Sequence, residues 1–142
     1  MRCDLAVADW TAALEALTAL SEVAADRVGY WGLSMGADYS LPFIAANPRV
    51  TTTVLGLFGA GTGDRLGEQA MSLAQTFTAS VLWVMQWDDT VFDRAGQLAL
   101  FDAVGSADKR IIVYPGDHGD TPDEGLRLVR EFLVRELGRV GS

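Results

Sequence analysis

Apolar and polar positions along this chain switch between a helical period and short unbroken apolar runs. In "VADWTAALEALTALSEV" (7–23), Trp10, Leu14, Leu17 and Leu20 recur at steps of four, three and three, a single stripe on a helix rich in Ala and Leu. "DRVGYWGLS" (26–34) is a short apolar run closing on glycine and reads as a buried strand. "MGADYSLPFIAAN" (35–47) returns to helical spacing and stops before Pro48; Pro42 inside it is expected to kink or shorten the helix. "VTTTVLGLFGA" (50–60) is β-branched and apolar, a strand that opens into the glycine-rich stretch "GAGTGDRLG" (59–67). A helix is expected from Leu66 to about Thr76, a strand at "SVLWVMQ" (80–86), a helix at "FDRAGQLALFDAV" (92–104) and a strand at "RIIVY" (110–114). The last element, "DEGLRLVREFLVREL" (123–137), is amphipathic, with Leu126, Val129, Leu133 and Leu137 on one face.

One helix followed by four strand–helix units defines the expected fold class. It is α/β, a parallel sheet covered by helices on both faces. No internal repeat, linker or low-complexity segment divides the chain, so residues 1–142 are expected to form a single domain. Composition supports this, since 142 residues with 49% hydrophobic content are enough for a real core.

Charge narrows the partners. The formal net charge is −8 and no stretch gathers Lys and Arg, a balance that repels phosphate backbones, so nucleic acid is not an expected partner. No apolar run approaches the roughly 20 residues of a bilayer span, and no membrane association is expected. The opening "MRCDLAVADW" carries Asp4 and Asp9 and lacks the apolar core of a signal peptide. Cys3 is the only cysteine, which excludes an intrachain disulfide and makes the cytoplasm the expected compartment. One cysteine and one histidine do not make a structural zinc site.

Three residues carry candidate chemistry. Ser34 lies in Gly32-Leu33-Ser34-Met35-Gly36, between a strand and a helix. In a turn that sharp the flanking positions must be small, and the serine Oγ projects outward. The Met35 amide falls at the helix start, where a developing oxyanion could accept its hydrogen bond. Asp88 and Asp89 follow the third strand, and His118, the only histidine, follows the fourth. Each bland reading is common by itself: a glycine turn, a helix-capping aspartate, a solvated histidine. Together the three stand at matching strand ends in the order Ser, Asp, His. A serine hydroxyl needs an imidazole to take its proton, and the imidazole needs a carboxylate to fix its tautomer.

On "DRVGYWGLSMG", "VLWVMQWDDTVFDRAGQLALFDAV" and "IIVYPGDHG", the chain resembles the α/β-hydrolase superfamily, and within it dienelactone-hydrolase-type proteins. The resemblance implies hydrolysis of an ester, lactone or similar acyl bond through an acyl-enzyme, with no metal and no organic cofactor. Aligning Gln86-Trp87-Asp88-Asp89 on the family's G-x-x-D pattern puts the acid at Asp89, with Asp88 as the alternative. The implied catalytic set is Ser34, Asp89 and His118, with the Met35 amide in the oxyanion hole and a small acyl compound as substrate.

Two departures follow from the same resemblance. Dienelactone hydrolases proper usually carry a cysteine nucleophile where this chain has Ser34, which favours a serine esterase-like activity. The family also has further strands before the helix preceding the serine, so this chain is expected to lack N-terminal strands and a second oxyanion-hole donor. Met1 is then expected to be an internal methionine of a longer protein. The "RVGYW" strand would be an open edge inviting a second copy of the chain. The competing reading is a truncated, non-catalytic remnant serving as a partner domain; a weaker one is a relative acting on peptides or haloalkanes. The glycine-rich stretch, which lacks a dinucleotide fingerprint or a Walker lysine, is expected to be a flexible loop near the pocket. Trp31, Trp83 and Trp87 are expected in the core or the pocket wall.

Overall fold

The computed structural model describes residues 2–61 and 65–138. In chain order it holds α1 (Arg2–Thr18), β1 (Val28–Trp31), α2 (Met35–Ala46), β2 (Val50–Gly56), α3 (Arg65–Ala74), β3 (Ser80–Gln86), α4 (Arg94–Ala103), β4 (Lys109–Tyr114) and α5 (Asp123–Gly138). The strands form one sheet in the order β1-β2-β3-β4, and every neighbouring pair is parallel.

That order decides where the helices go. Right-handed crossovers that always step the same way along a sheet place every crossover helix on one face. So α2, α3 and α4 lie together, and α1 packs against α2 on the same side. Only α5, after the last strand, folds back across the other face. Side-chain alternation along the strands feeds both layers. In β3, Val81, Trp83 and Met85 join the core under α1–α4, while Leu82 and Val84 join Val129 and Phe132 of α5. Both faces are covered, four helices against one. Among the described residues, no helix is long and apolar enough to cross a membrane.

Several expectations are corrected at this level. The inward stripe of α1 is Val7, Trp10 and Leu14, because Trp10 wedges between Tyr30 and Phe43 at ring separations of 5.9 and 5.7 Å. Leu17 is 54% exposed, and Leu20 lies beyond the helix end and is 52% exposed. Pro42 does not shorten α2, which runs on to Ala46. Its missing N–H forfeits one bond to the Asp38 carbonyl, but Leu41, Phe43 and Ile44 are buried around it and their packing holds the helix. Of Trp31, Trp83 and Trp87, only Trp83 is in the core. Trp31 and Trp87 are each 45% exposed, the first on an edge strand and the second just past the end of β3.

Candidate active site

All four strands point the same way, so their carboxyl ends share one rim, where ligands of parallel sheets collect. Ser34 stands three residues past β1, Asp89 three past β3 and His118 four past β4. These strands are not all neighbours. β1 and β4 are opposite edges, three spacings of about 4.8 Å or roughly 14 Å apart, so the histidine segment must lean back across the rim.

The serine turn is tight and strained. Ser34 has φ 55° and ψ −120°, a left-handed conformation for a residue with a side chain, which costs of order 1–3 kcal/mol. A Cβ at Gly32 would sit 2.7 Å from the Gly36 carbonyl oxygen and 2.7 Å from the Tyr30 ring, so only glycine fits there. Tyr30 props the turn from below: its hydroxyl donates to the Gly36 carbonyl at 2.8 Å. A serine before a helix ordinarily caps it with its hydroxyl. Ser34 makes no such cap bond, and its Oγ lies 2.8 Å from His118 Nε2 instead. Met35 opens α2, so its N–H has no acceptor within the helix.

Behind the histidine, His118 Nδ1 lies 2.9 Å from Asp89 Oδ2. The Asp89 side chain is 1% exposed and every lone pair is used. Oδ1 accepts the Val91 and Phe92 N–H groups at 2.8 and 2.9 Å, and Oδ2 also accepts from Gln97 Nε2 at 3.2 Å. Burial alone would raise this carboxyl; the bonds from Phe92 N–H, His118 and Val91 N–H outweigh it and hold the group below the usual carboxylate range. An ionised carboxylate only accepts, so the proton of a neutral His118 sits on Nδ1 and the Nε2 lone pair faces the serine hydroxyl. Asp88, the alternative acid, points outward. It is 65% exposed and faces Arg94 at 3.6 Å, a surface pair worth about 0–1 kcal/mol.

Two features missed in the sequence bring the histidine home. Asp117 accepts the Thr90 N–H and hydroxyl, both at 2.8 Å, and the His118 N–H at 2.7 Å, tying the β4 segment to the acid turn. These bonds, the one from Thr90 N–H foremost, hold the Asp117 carboxyl below its ordinary range. Gly116 supplies the bend at φ 120°, where a Cβ would press on Asp120 at 2.8 Å. Its carbonyl accepts the Asp88 N–H at 3.0 Å. No sequence signal marked Asp117 or Thr90, since two exposed polar residues 27 apart have no spacing rule.

Beside Ser34, Asp89 and His118 lies an open cavity of about 390 Å³. Phe92 is the shared wall, its ring 5.8 Å from the His118 ring and 5.3 Å from Phe58. Gly59, Ala60 and Gly61 line it, so the glycine-rich stretch does border the pocket. Gly59 and Ala60 are packed rather than loose: the Ala60 N–H bonds the Gly96 carbonyl, and a Cβ on Gly59 would meet the Gln97 backbone at 2.7 Å. Thr62–Asp64 of that stretch lie outside the described residues. None of Trp31, Trp83 and Trp87 borders this cavity.

A parallel sheet wound in this order, with a strained serine turn after its first strand, defines an α/β-hydrolase fold. Within that class the chain belongs to the dienelactone hydrolase family, whose profile matches residues 2–125. It is similar to a cold-adapted esterase from an Arctic intertidal metagenomic library, with 34% identity and a TM-score of 0.84 over 94% of this chain and 59% of that one. The chain therefore spans about three-fifths of that esterase's length. Acetyl xylan esterase 1 from Thermoanaerobacterium sp. (22% identity, TM-score 0.71, 86% of this chain and 49% of that one) shares the fold. So does the monoacylglycerol lipase of Paleococcus ferrophilus (16% identity, TM-score 0.73, 94% and 76%). No curated protein matches the chain.

Proposed function

We propose that this chain carries the catalytic triad of a serine hydrolase that cleaves an ester, lactone or similar acyl bond. The observation that carries the reading is the relay Ser34 Oγ–His118 Nε2–Nδ1–Asp89 Oδ2 at 2.8 and 2.9 Å. Similarity to an esterase at 34% identity supports the acyl substrate. Ser34 Oγ attacks the acyl carbon while Nε2 takes its proton, and the tetrahedral oxyanion turns to the Met35 N–H. Collapse breaks the bond to the alcohol oxygen, which leaves with the proton from Nε2. Water then repeats the sequence on the acyl-Ser34 ester and releases the acid. The reacting groups are all side chains and a backbone amide, so the scheme calls on no metal or organic cofactor. A fluorophosphonate probe tests it, because only an activated serine displaces fluoride. The wild-type chain should be labelled at Ser34, and labelling should vanish in His118→Ala although Ser34 is intact. A wild-type chain that takes no label would favour the non-catalytic reading.

The open edge of the sheet adds a proposal about association. Among the described residues β1 pairs only with β2, and Trp31 stands half-exposed at its end. Open backbone groups next to an aromatic side chain favour pairing with another strand, and a second copy of this chain supplies one. Sedimentation at about 100 μM should show a dimer, and Trp31→Lys, which puts a charge on the edge, should return it to a monomer. A wild-type monomer at that concentration rules the pairing out.

A further inference from the structure

The cavity beside the triad has one wall that the hydrolytic scheme leaves unused. Asp38, in the first turn of α2 and four residues past Ser34, borders it together with Asp93, Phe58, Val91 and Phe92. The two carboxylates differ. Asp93 is occupied as the N-cap of α4, accepting the Gly96 N–H at 2.6 Å. Asp38 is half-buried, and among the described residues no hydrogen bond or ion pair to its side chain is found. Burial pushes its carboxyl above the ordinary range with nothing to counter it. A partly desolvated anion left without a partner costs stability, and a natural use for it is to meet a cation that arrives with the ligand.

The other walls suit the same guest. Phe58 and Phe92 meet edge to face at 72°, and both border the space that Asp38 borders. Aromatic faces and a carboxylate together hold a quaternary or primary ammonium better than either alone. Phe92 also touches the His118 ring, so a group seated here belongs to a substrate whose acyl carbon is at Ser34.

We propose that this cavity receives a positively charged part of the substrate, and that Asp38 is the residue that selects it. The inference rests on the hydrolase reading above, and its test is one of binding, so the two fail separately. Ser34→Ala is titrated by calorimetry with two pairs of esters differing only in charge. One pair is 2-(trimethylammonio)ethyl acetate and 3,3-dimethylbutyl acetate; the other is the methyl esters of 4-(trimethylammonio)butanoate and 5,5-dimethylhexanoate. The cationic member of at least one pair should bind about tenfold tighter. The preference should disappear when Asp38→Asn or Asp38→Ser is added. It should survive when Asp88→Asn is added, which removes the same unit of net charge outside the cavity. Equal binding within both pairs, no binding of either cation, or a preference that outlasts both Asp38 changes would overturn the proposal. Fluorophosphonate labelling of the wild-type chain reports on the hydrolase reading whichever way the titrations fall.

Discussion

Ser34→Ala is expected to lower ester turnover by on the order of 10⁶, or to the rate of buffer alone, and adding His118→Ala should cost nothing more. In the proposed relay the two side chains act as one device: the imidazole has no proton to take without the hydroxyl, and the hydroxyl is a poor nucleophile without the imidazole. Their single losses should therefore be nearly equal and the double loss the same as either. Stability should barely respond, because among the described residues the Ser34 hydroxyl caps nothing and bonds only to His118. The backbone strain at φ 55° stays with alanine, which has a Cβ in the same place. Turnover of p-nitrophenyl acetate by the two single variants and the double variant, with thermal melts alongside, decides this. Losses that multiply in the double variant would mean that the two residues work independently, and the relay would have to be abandoned.

The legible and illegible parts of this molecule separate along physical lines. Strand β3 announced itself because a strand buried on both faces must be a continuous apolar run, as Val81–Met85 is, and β2 did so by its β-branched and apolar residues. Strand β1 was harder, with only Val28–Trp31 paired out of the segment 26–34. In α1, Ala and Leu recur so densely that two stripes fit the same letters. The inward one is chosen by what Trp10 meets across the core, Tyr30 and Phe43, neither of them near it in the sequence. The site divides in the same way. Ser34, Asp89 and His118 could be read because each follows a strand and their residue types fit one reaction. The bonds that carry His118 across the rim, from Thr90 to Asp117, join exposed polar residues with no apolar pattern to betray them. The cavity wall at Asp38 was hidden for another reason: an acidic residue in a first helical turn is commonplace, and only the enclosing Phe58 and Phe92 set it apart.

Asp89→Asn should lower kcat by about 10⁴, whereas Asp88→Asn should change it less than about twofold. The size of the first effect follows from how Asp89 is held. Its Oδ1 accepts two backbone N–H groups, from Val91 and Phe92, and an amide nitrogen in that place would set donor against donor twice. The carboxamide of asparagine must therefore keep its oxygen toward the backbone and turn its NH₂ toward His118. There it donates to Nδ1, which forces the imidazole proton onto Nε2, and the lone pair that should receive the Ser34 proton is gone. Gln97 does not block this arrangement. Its Oε1 is buried and, among the described residues, unpartnered, so a turn of its amide offers an acceptor to the new NH₂ at the cost of the Nε2 bond to the Phe92 carbonyl. The variant should thus fold with its geometry nearly intact and fail by tautomer alone. Among the described residues the Asp88 carboxylate reaches only Arg94, across 3.6 Å of exposed surface, and Arg94 keeps two bonds to the Trp87 carbonyl without it. Steady-state kinetics of both variants on p-nitrophenyl acetate separate them. A large loss in Asp88→Asn with a small one in Asp89→Asn would put the acid at Asp88 in the reacting enzyme and require the β3–α4 turn to rearrange on binding substrate.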